Sequence, residues 1–283
     1  MLKKLFPYLG EYKHLAIITP LLMILEVACE LALPRFMANI VDVGIPSNDL
    51  SYILRMGAVM LVLAVCSMLC GMFGAKFAAI TGQGFGANLR RSIYNKVQEF
   101  SFADIDRFSS ASLITRITND VNAIQMMVTM ALRLLVRAPV MLIAALAVAF
   151  TINPSLVLVM LVTIPLLVLA IGVLMMVCNR LFSVLQTRID ALNATVQENL
   201  VAIRVVKAFV REGYEKTKFK TSNDDLTQAT IQVGMRVIAM IPIMMIAMNC
   251  ATAAVLYLGG GQVVAGEMLI GDLSSFITYI FQI

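Results

Sequence analysis

Residues 156–177 read LVLVMLVTIPLLVLAIGVLMMV, an unbroken run with no charged side chain. An α-helix of about 20 apolar residues crosses the hydrocarbon core of a bilayer, so this run predicts a membrane span. The whole chain agrees, because 60% of its 283 residues are hydrophobic and only 14% are charged. Soluble domains carry about 25% charged residues, so much of this chain is expected to lie in lipid.

Five further segments are apolar enough to form spans. With the first, they cover residues 15–36, 53–77, 133–152, 156–177, 237–258 and 270–283. The last segment holds about 14 residues, fewer than a span requires. The pattern predicts an all-α membrane protein of six helices, with the sixth truncated.

The connections between spans differ in charge. Residues 41–51, 151–155 and 259–272 contain no Lys or Arg, whereas the long connections at about 78–132 and 178–236 are rich in both. Cytoplasmic loops carry the excess of Lys and Arg, which places both long connections and the N-terminus in the cytoplasm. The net charge of +5 is explained by this orientation, and no nucleic-acid partner is expected.

The long connections have the composition of helices. Gly and Pro are almost absent from residues 83–101 and 182–210, and apolar residues recur at three- and four-residue steps from Leu185 to Ile203. This spacing indicates an amphipathic helix. We expect two intracellular helical hairpins that reverse at residues 104–112 and 211–215, the second broken at Gly213.

Residues 1–13 are expected to form a separate helix at the cytoplasmic membrane surface. Leu2, Leu5, Phe6 and Leu9 share one face of this segment and would contact lipid.

Three ordered motifs resemble ABC exporters of the bacterial multidrug half-transporter type. Residues 106–121, DRFSSASLITRITNDV, resemble the first intracellular loop, and residues 198–212, ENLVAIRVVKAFVRE, are similar to the second intracellular segment. Residues 259–273, GGGQVVAGEMLIGDL, look like the turn into the sixth helix. Many members have Gly-Glu where this chain has Ala111-Ser112, a change compatible with a helix start because Ser is a good cap.

The resemblance implies a transmembrane domain over residues 14–283 that exports an amphipathic or hydrophobic substrate by alternating access. It also implies a bacterial plasma-membrane location, a second transmembrane half in a homo- or heterodimer, and ATPase domains that dock on two coupling helices. The implied coupling helices contain Asp106, Arg107, Phe108, Ser109, Ser110 and Ser112 in the first, and Phe209, Arg211, Glu212, Gly213, Tyr214 and Glu215 in the second.

The family normally continues into a nucleotide-binding domain, but the sequence lacks the G-x-x-x-x-G-K-[ST] loop that cradles phosphates. Its nearest Gly-rich stretch, residues 82–86, has no following Lys-Ser or Lys-Thr. We therefore expect no catalytic residue in this chain, and expect ATP and Mg²⁺ to bind to a domain absent from it. Five Cys and the single His14 show no metal-ligand spacing, so no metal site is expected.

Glu26 and Glu30 are the most informative candidates for the substrate cavity. They lie four residues apart in the first span, and carboxylates at membrane depth usually face the bundle interior or water. They could meet a cationic substrate or a basic partner, or form a hydrogen bond within the bundle with one or both of them protonated by desolvation. An ATP-independent transporter or channel using both as proton carriers is an alternative function.

Two further sets of residues are candidates for the cavity. Arg133 and Arg137 could line it or extend to the lipid interface. Met240, Met244, Met248 and Asn249 form a stripe on the fifth span, and this stripe could be an adaptable wall or ordinary core packing.

Overall fold

A computed structural model of the chain describes residues 6–101 and 109–282. In this part of the chain the regular structure is helical, without a β-strand. The helices are α1 (Lys13–Asn39), α2 (Leu50–Gln98), α3 (Ser110–Thr115), α4 (Val121–Ile152), α5 (Pro154–Ala208), α6 (Glu212–Ile238), α7 (Met240–Val264) and α8 (Ile270–Gln282). A 3₁₀ segment, Phe6–Tyr12, precedes α1, and π-helical turns occupy Ile40–Gly44 and Arg116–Asp120.

The helices confirm the predicted all-α membrane fold. Among the described residues, five helical stretches are long and apolar enough to cross a membrane: residues 6–44, 50–98, 111–152, 154–208 and 212–264. Helix α8 has 13 residues, fewer than a span needs, in agreement with the short sixth segment of the sequence.

Two helices extend far beyond the thickness of a bilayer. Helix α2 has 49 residues and α5 has 55. At 1.5 Å per residue they are about 74 and 82 Å long, against a hydrocarbon core of about 30 Å. The membrane helices therefore continue as long extensions, as their sequence predicts.

The chain divides into two compact units, and the first contains Met1–Val157 and Leu256–Ile283. In this unit α1 packs against α2, α4 and α8. Gly82 and Gly86 of α2 lie directly against Thr129 and Gln125 of α4, where a Cβ atom would collide. Small residues four apart allow two helices to approach closely. The Gly-rich stretch at residues 82–86 is thus a helix-packing surface, and its backbone does not form a phosphate loop.

The N-terminal segment differs from the separate lipid-facing helix that we predicted. Leu9 is buried against Phe85, Leu89 and Val121, and the Asn88 side chain donates a hydrogen bond to the Tyr8 carbonyl at 3.1 Å. The prediction that Leu9 faces lipid is therefore wrong, because the hydrophobic cluster between α2 and α4 takes it up.

The remaining lipid-facing predictions have mixed outcomes. Phe6 is exposed, whereas Leu2 and Leu5 lie outside the described residues.

The second unit, Leu158–Val255, contains most of α5, all of α6 and the start of α7. Helices α5 and α6 form an antiparallel hairpin, because residue numbers fall along α6 as they rise along its polar partners on α5. These pairs are Arg188–Asp225 at 2.9 Å, Thr195–Ser222 at 3.3 Å, Glu198–Lys218 at 2.6 Å and Asn199–Glu215 at 3.1 Å.

Candidate functional sites: an intramembrane ion triad and a hairpin tip

One arginine binds both acids of the first span. Arg137 of α4 donates from Nη1 to Glu26 Oε1 at 2.9 Å, and from Nη2 to both carboxylate oxygens of Glu30 at 2.9 Å. Glu26 and Glu30 are one turn apart on α1, so their carboxylates project from the same face. We call these three residues the ion triad. The sequence left open whether the acids meet a cationic substrate, a basic partner or each other; in the structure they bind a basic partner.

The triad is asymmetric in burial and in charge. The Glu26 side chain is 8% exposed, Glu30 is 26% exposed and Arg137 is 40% exposed. Glu26 Oε2 is buried and accepts no hydrogen bond from the described residues. Two carboxylates and one guanidinium carry a net charge of −1 when all three are ionised, which is costly at membrane depth.

The other cavity candidates do not join this triad. Arg133 is exposed and forms no ion pair with a described residue. On α7, in the second unit, Met244 is exposed, and Met240 and Met248 are half-buried. The side-chain amide of Asn249 donates to the Met245 carbonyl of the same helix at 2.7 Å. The structure thus brings Arg137, and not Arg133, to the two acids. That the Met stripe lines a cavity stays a prediction.

The second hairpin reverses at Val210. The amide of Val210 donates to the Lys207 carbonyl at 3.3 Å, and the amide of Arg211 donates to the Val206 carbonyl at 2.9 Å. This pair of bonds is the Schellman motif, which requires a left-handed residue at the position after the helix. Val210 has that conformation, with φ of 50°. The prediction that Gly213 breaks the chain is wrong, because Gly213 lies in the first turn of α6.

The hairpin tip, defined here as residues 207–215, presents apolar side chains to its surroundings. Phe209 is 73% exposed and Val210 is 79% exposed, and Tyr214 is also exposed. Lys207 donates to Glu212 Oε1 at 3.0 Å across the reversal. The pKa of Glu212 is lowered by its own backbone N–H and by this lysine. Phe209, Val210 and Tyr214 thus form an exposed apolar group at the reversal.

The first predicted tip lies only partly within the structure. Asp106, Arg107 and Phe108 are outside the described residues. Ser109 Oγ accepts a hydrogen bond from the Ser112 amide at 3.3 Å and caps α3, which begins at Ser110. The helix start expected around Ser112 is therefore capped three residues earlier, by Ser109.

Helix α8 is held to α1 by polar contacts that sequence reasoning missed. Ser275 Oγ donates to the Pro34 carbonyl at 2.6 Å, and the Tyr279 hydroxyl donates to the Leu31 carbonyl at 2.9 Å. Pro34 has no N–H, so α1 lacks the hydrogen bond to the Glu30 carbonyl, and the two bonds from α8 reach carbonyls close to this interruption. The proline within an apolar run was the available signal.

Charge and close contact also join α8 to the end of α1 and to the π-helical turn that follows it. Arg35 binds Asp272 at 2.6 Å, and the Gly271 amide donates to Asp42 Oδ1 at 2.7 Å. A Cβ on Gly271 would lie 2.5 Å from the Ala38 carbonyl oxygen. Together with the bonds to Leu31 and Pro34, these contacts form what we call the α1–α8 clamp.

The architecture defines a class: a multi-pass helical membrane domain whose first unit contains an ionic centre and whose second unit contains a long antiparallel helix pair. Within that class, residues 16–283 match the family described as the ABC transporter transmembrane region. The chain belongs to this family.

Relatives agree with this membership. An uncharacterized ABC transporter ATP-binding protein of Bacillus subtilis is 35% identical over 282 residues, which cover 100% of this chain and 49% of that protein. A fatty acid ABC transporter ATP-binding/permease protein of Mycobacterium bovis is 28% identical over 83% of this chain and 37% of its own length. An ATP-dependent lipid A-core flippase of Syntrophus aciditrophicus is 27% identical over 76% of this chain and 36% of its own length. The chain therefore spans about half the length of the first of these relatives.

Proposed function

We propose that this chain is the transmembrane pathway of an ATP-driven exporter, moving an amphipathic or hydrophobic substrate out of the bacterial cytoplasm. Alternating access would arise by rigid-body movement of helix bundles. Family membership supports the ATP-driven class, and the names of two relatives, a lipid A-core flippase and a fatty acid transporter, support an amphipathic substrate.

The observation that carries the proposal is the long α5–α6 hairpin with its exposed apolar tip. A helix needs about 20 residues to span the membrane, and α5 has 55. The four polar pairs between α5 and α6 tie the two extensions together over several turns, so that they move as one lever. A soluble ATPase domain that binds Phe209 and Tyr214 would pull on this lever.

The predicted tip residues have distinct parts in this proposal. Phe209 and Tyr214 supply apolar contact, while Lys207 and Glu212 hold the reversal in shape. Arg211 and Glu215 supply charges at the edge of the tip, and Gly213 leaves open space on the first turn of α6. Ser109, Ser110 and Ser112 begin the helix of the first tip, next to the residues that the structure does not describe.

In this proposal, ATP is hydrolysed by nucleotide-binding domains and not by the residues of this chain. The residues at 82–86 are helical and packed against α4, so they offer no cradle for phosphates. Mg²⁺ and ATP would bind to the partner domains. A second transmembrane half, identical or related, completes the pathway, and the Lys- and Arg-rich extensions face the cytoplasm.

Cross-linking tests the contact between tip and ATPase domain. In the transporter assembled with its nucleotide-binding domains and carrying Cys250→Ser, a Phe209→Cys variant treated with a short maleimide–succinimidyl ester should link its thiol to a lysine amine of the nucleotide-binding domain. Val264→Cys, at the exposed end of α7, is the matched control and should give no such product. Equal linking from both positions, or none from position 209, would contradict the proposal.

A further inference from the structure

The ion triad remains unexplained by the lever mechanism. Its members lie inside the bundle of the first unit, in the apolar segments of α1 and α4, and not at the tips. A single Arg–Glu pair would be enough to hold α1 to α4. The second carboxylate adds a negative charge at a depth where charge is costly, so it calls for an explanation of its own.

When all three groups are ionised, the geometry leaves one negative charge without a partner among the described residues. Arg137 gives one Nη to each glutamate, so its positive charge is shared between them. The Glu26 side chain is more than nine-tenths buried. Its Oε2 atom is buried as well and accepts no hydrogen bond from the described residues. A buried polar atom without a protein partner is rare and calls for an explanation, such as strain, an ordered water or a bound ion.

Among the described residues, no cation other than Arg137 forms an ion pair with Glu26 or Glu30. The neighbouring face of α2 presents Gly71, whose missing side chain leaves the Glu26 carboxylate room; a Cβ there would be 3.1 Å from Oε1. Cys70, buried on the same helix, lies near Glu26 and carries no positive charge. On α4, Arg133 is exposed and does not pair with the acids.

The triad is also open on one side. Glu30 and Arg137 keep 26% and 40% of their side-chain surfaces exposed, whereas the Glu26 side chain is 8% exposed. A ligand that approaches from this edge meets the Glu30 carboxylate and the charge of Glu26 at short range. An anion would instead meet a guanidinium whose charge both glutamates already offset.

We infer that Glu26, Glu30 and Arg137 form a binding site for the cationic group of an amphipathic substrate, such as an organic ammonium or phosphonium. This inference rests on the proposed function for its physiological role, because it names the substrate class of the same pathway. One monovalent cation brings the net charge of the site to zero. Arg137 then acts as the strut that keeps the two carboxylates separated and pointing to one place.

The test uses two probes of the same shape and opposite charge, tetraphenylphosphonium and tetraphenylborate. Binding of each is measured by equilibrium dialysis to the full-length protein in phosphatidylcholine nanodiscs, without nucleotide. Tetraphenylphosphonium should bind more tightly than tetraphenylborate. Glu30→Gln and Glu26→Gln should each weaken phosphonium binding about tenfold, the loss expected for one charge at close range, and should not weaken borate binding.

Glu267→Gln is the matched control, because it removes one negative charge from an exposed turn outside the triad. It should leave the binding of both probes unchanged. Equal losses for both probes in the triad variants, unchanged phosphonium binding, or tighter binding of the borate would each overturn the inference. Circular dichroism and retention of borate binding show that the variants are folded.

A transport measurement on the same samples separates this inference from the proposed function. If the protein transports a neutral amphiphile with ATP but phosphonium binding is unchanged in Glu26→Gln and Glu30→Gln, the cation site is wrong and the exporter proposal is supported. If phosphonium binding depends on both glutamates but no probe moves with ATP, the site stands and the exporter proposal is wrong.

Discussion

Val210 occupies, at the end of α5, the same position in a Schellman motif that Gly266 occupies at the end of α7. Val210 has φ of 50° and Gly266 has φ of 76°. In both, the following amide bonds back five residues: Arg211 to Val206 and Glu267 to Gln262, each at 2.9 Å. Glycine adopts this conformation without cost, whereas a β-branched residue is a genuine outlier there. The hairpin tip therefore stores backbone strain that the other turn does not.

Relieving this strain should stabilise the hairpin. We expect Val210→Gly to raise the free energy of unfolding by about 1 kcal/mol, because the penalty for an L-residue in the left-handed region is removed. The thermal unfolding midpoint should rise accordingly. Circular dichroism in detergent measures it. Val205→Gly, on the exposed surface of α5, is the control and should lower stability by about 1 kcal/mol. A loss of stability from both substitutions would show that Val210 is not strained.

The α1–α8 clamp depends on the absence of a side chain at residue 271. Gly271→Ala would place a Cβ 2.5 Å from the Ala38 carbonyl oxygen and 2.8 Å from its Cα, and backbone atoms cannot move aside cheaply. We expect a loss of about 1–3 kcal/mol, as for other overpacked sites, read from the unfolding midpoint. Gly260→Ala, where nothing lies within 4 Å, should be neutral or stabilising. Similar effects at both glycines would argue against the clamp.

The ion triad should behave as one unit in stability. Arg137→Gln leaves two carboxylates without their partner and should cost about 2–3 kcal/mol, less than a fully buried pair because Arg137 is partly exposed. Adding Glu26→Gln and Glu30→Gln to the same protein should restore more than half of the loss, since no unpaired charge then remains. Thermal unfolding is measured for the wild type, Arg137→Gln, the Glu26→Gln/Glu30→Gln double variant and the triple variant; strictly additive losses would contradict the coupling.

Acid should loosen the hairpin tip. The pKa of Glu212 is lowered from its ordinary 4.5, first by its own backbone N–H and then by Lys207. The ionised carboxylate is thus favoured in the folded tip; its contribution is present above pH 4.5 and is lost as the pH falls through the lowered value. The chain contains no Trp, so Tyr214→Trp provides a single reporter whose emission should change in this acid range.

Glu212→Gln in the same reporter protein is the control for that titration. It removes the group that titrates, so the acid transition should disappear. An identical transition in both proteins would assign the change to another residue.

The sequence was enough to predict the spans, because span length and hydropathy follow from the bilayer itself. It also predicted that Glu26 and Glu30 share a face, since helical periodicity places residues four apart on the same side. It did not identify Arg137, rather than Arg133, as their partner. Both lie one turn apart on the same apolar helix, and the choice depends on how α4 is rotated against α1, which no local pattern encodes.

The turn at the hairpin tip shows a different limit. Sequence reasoning selected Gly213 because glycine is the usual residue where a helix ends. The structure instead ends α5 at Ala208 and forces Val210 into the left-handed region, with Gly213 inside α6. Propensity rules assume an unstrained chain, and they fail where a turn is strained, as backbones often are at functional sites.

The most direct test of the whole account is uptake of a fluorescent amphiphile into inside-out vesicles containing the full-length transporter. Uptake should require ATP hydrolysis, and Phe209→Ala with Tyr214→Ala should abolish it while ATP binding to the nucleotide-binding domain persists. Val201→Ala with Val264→Ala, also exposed but outside the tip, should leave uptake intact. Uptake driven by a proton gradient without ATP, or ATP-driven uptake that survives loss of the tip side chains, would contradict the account.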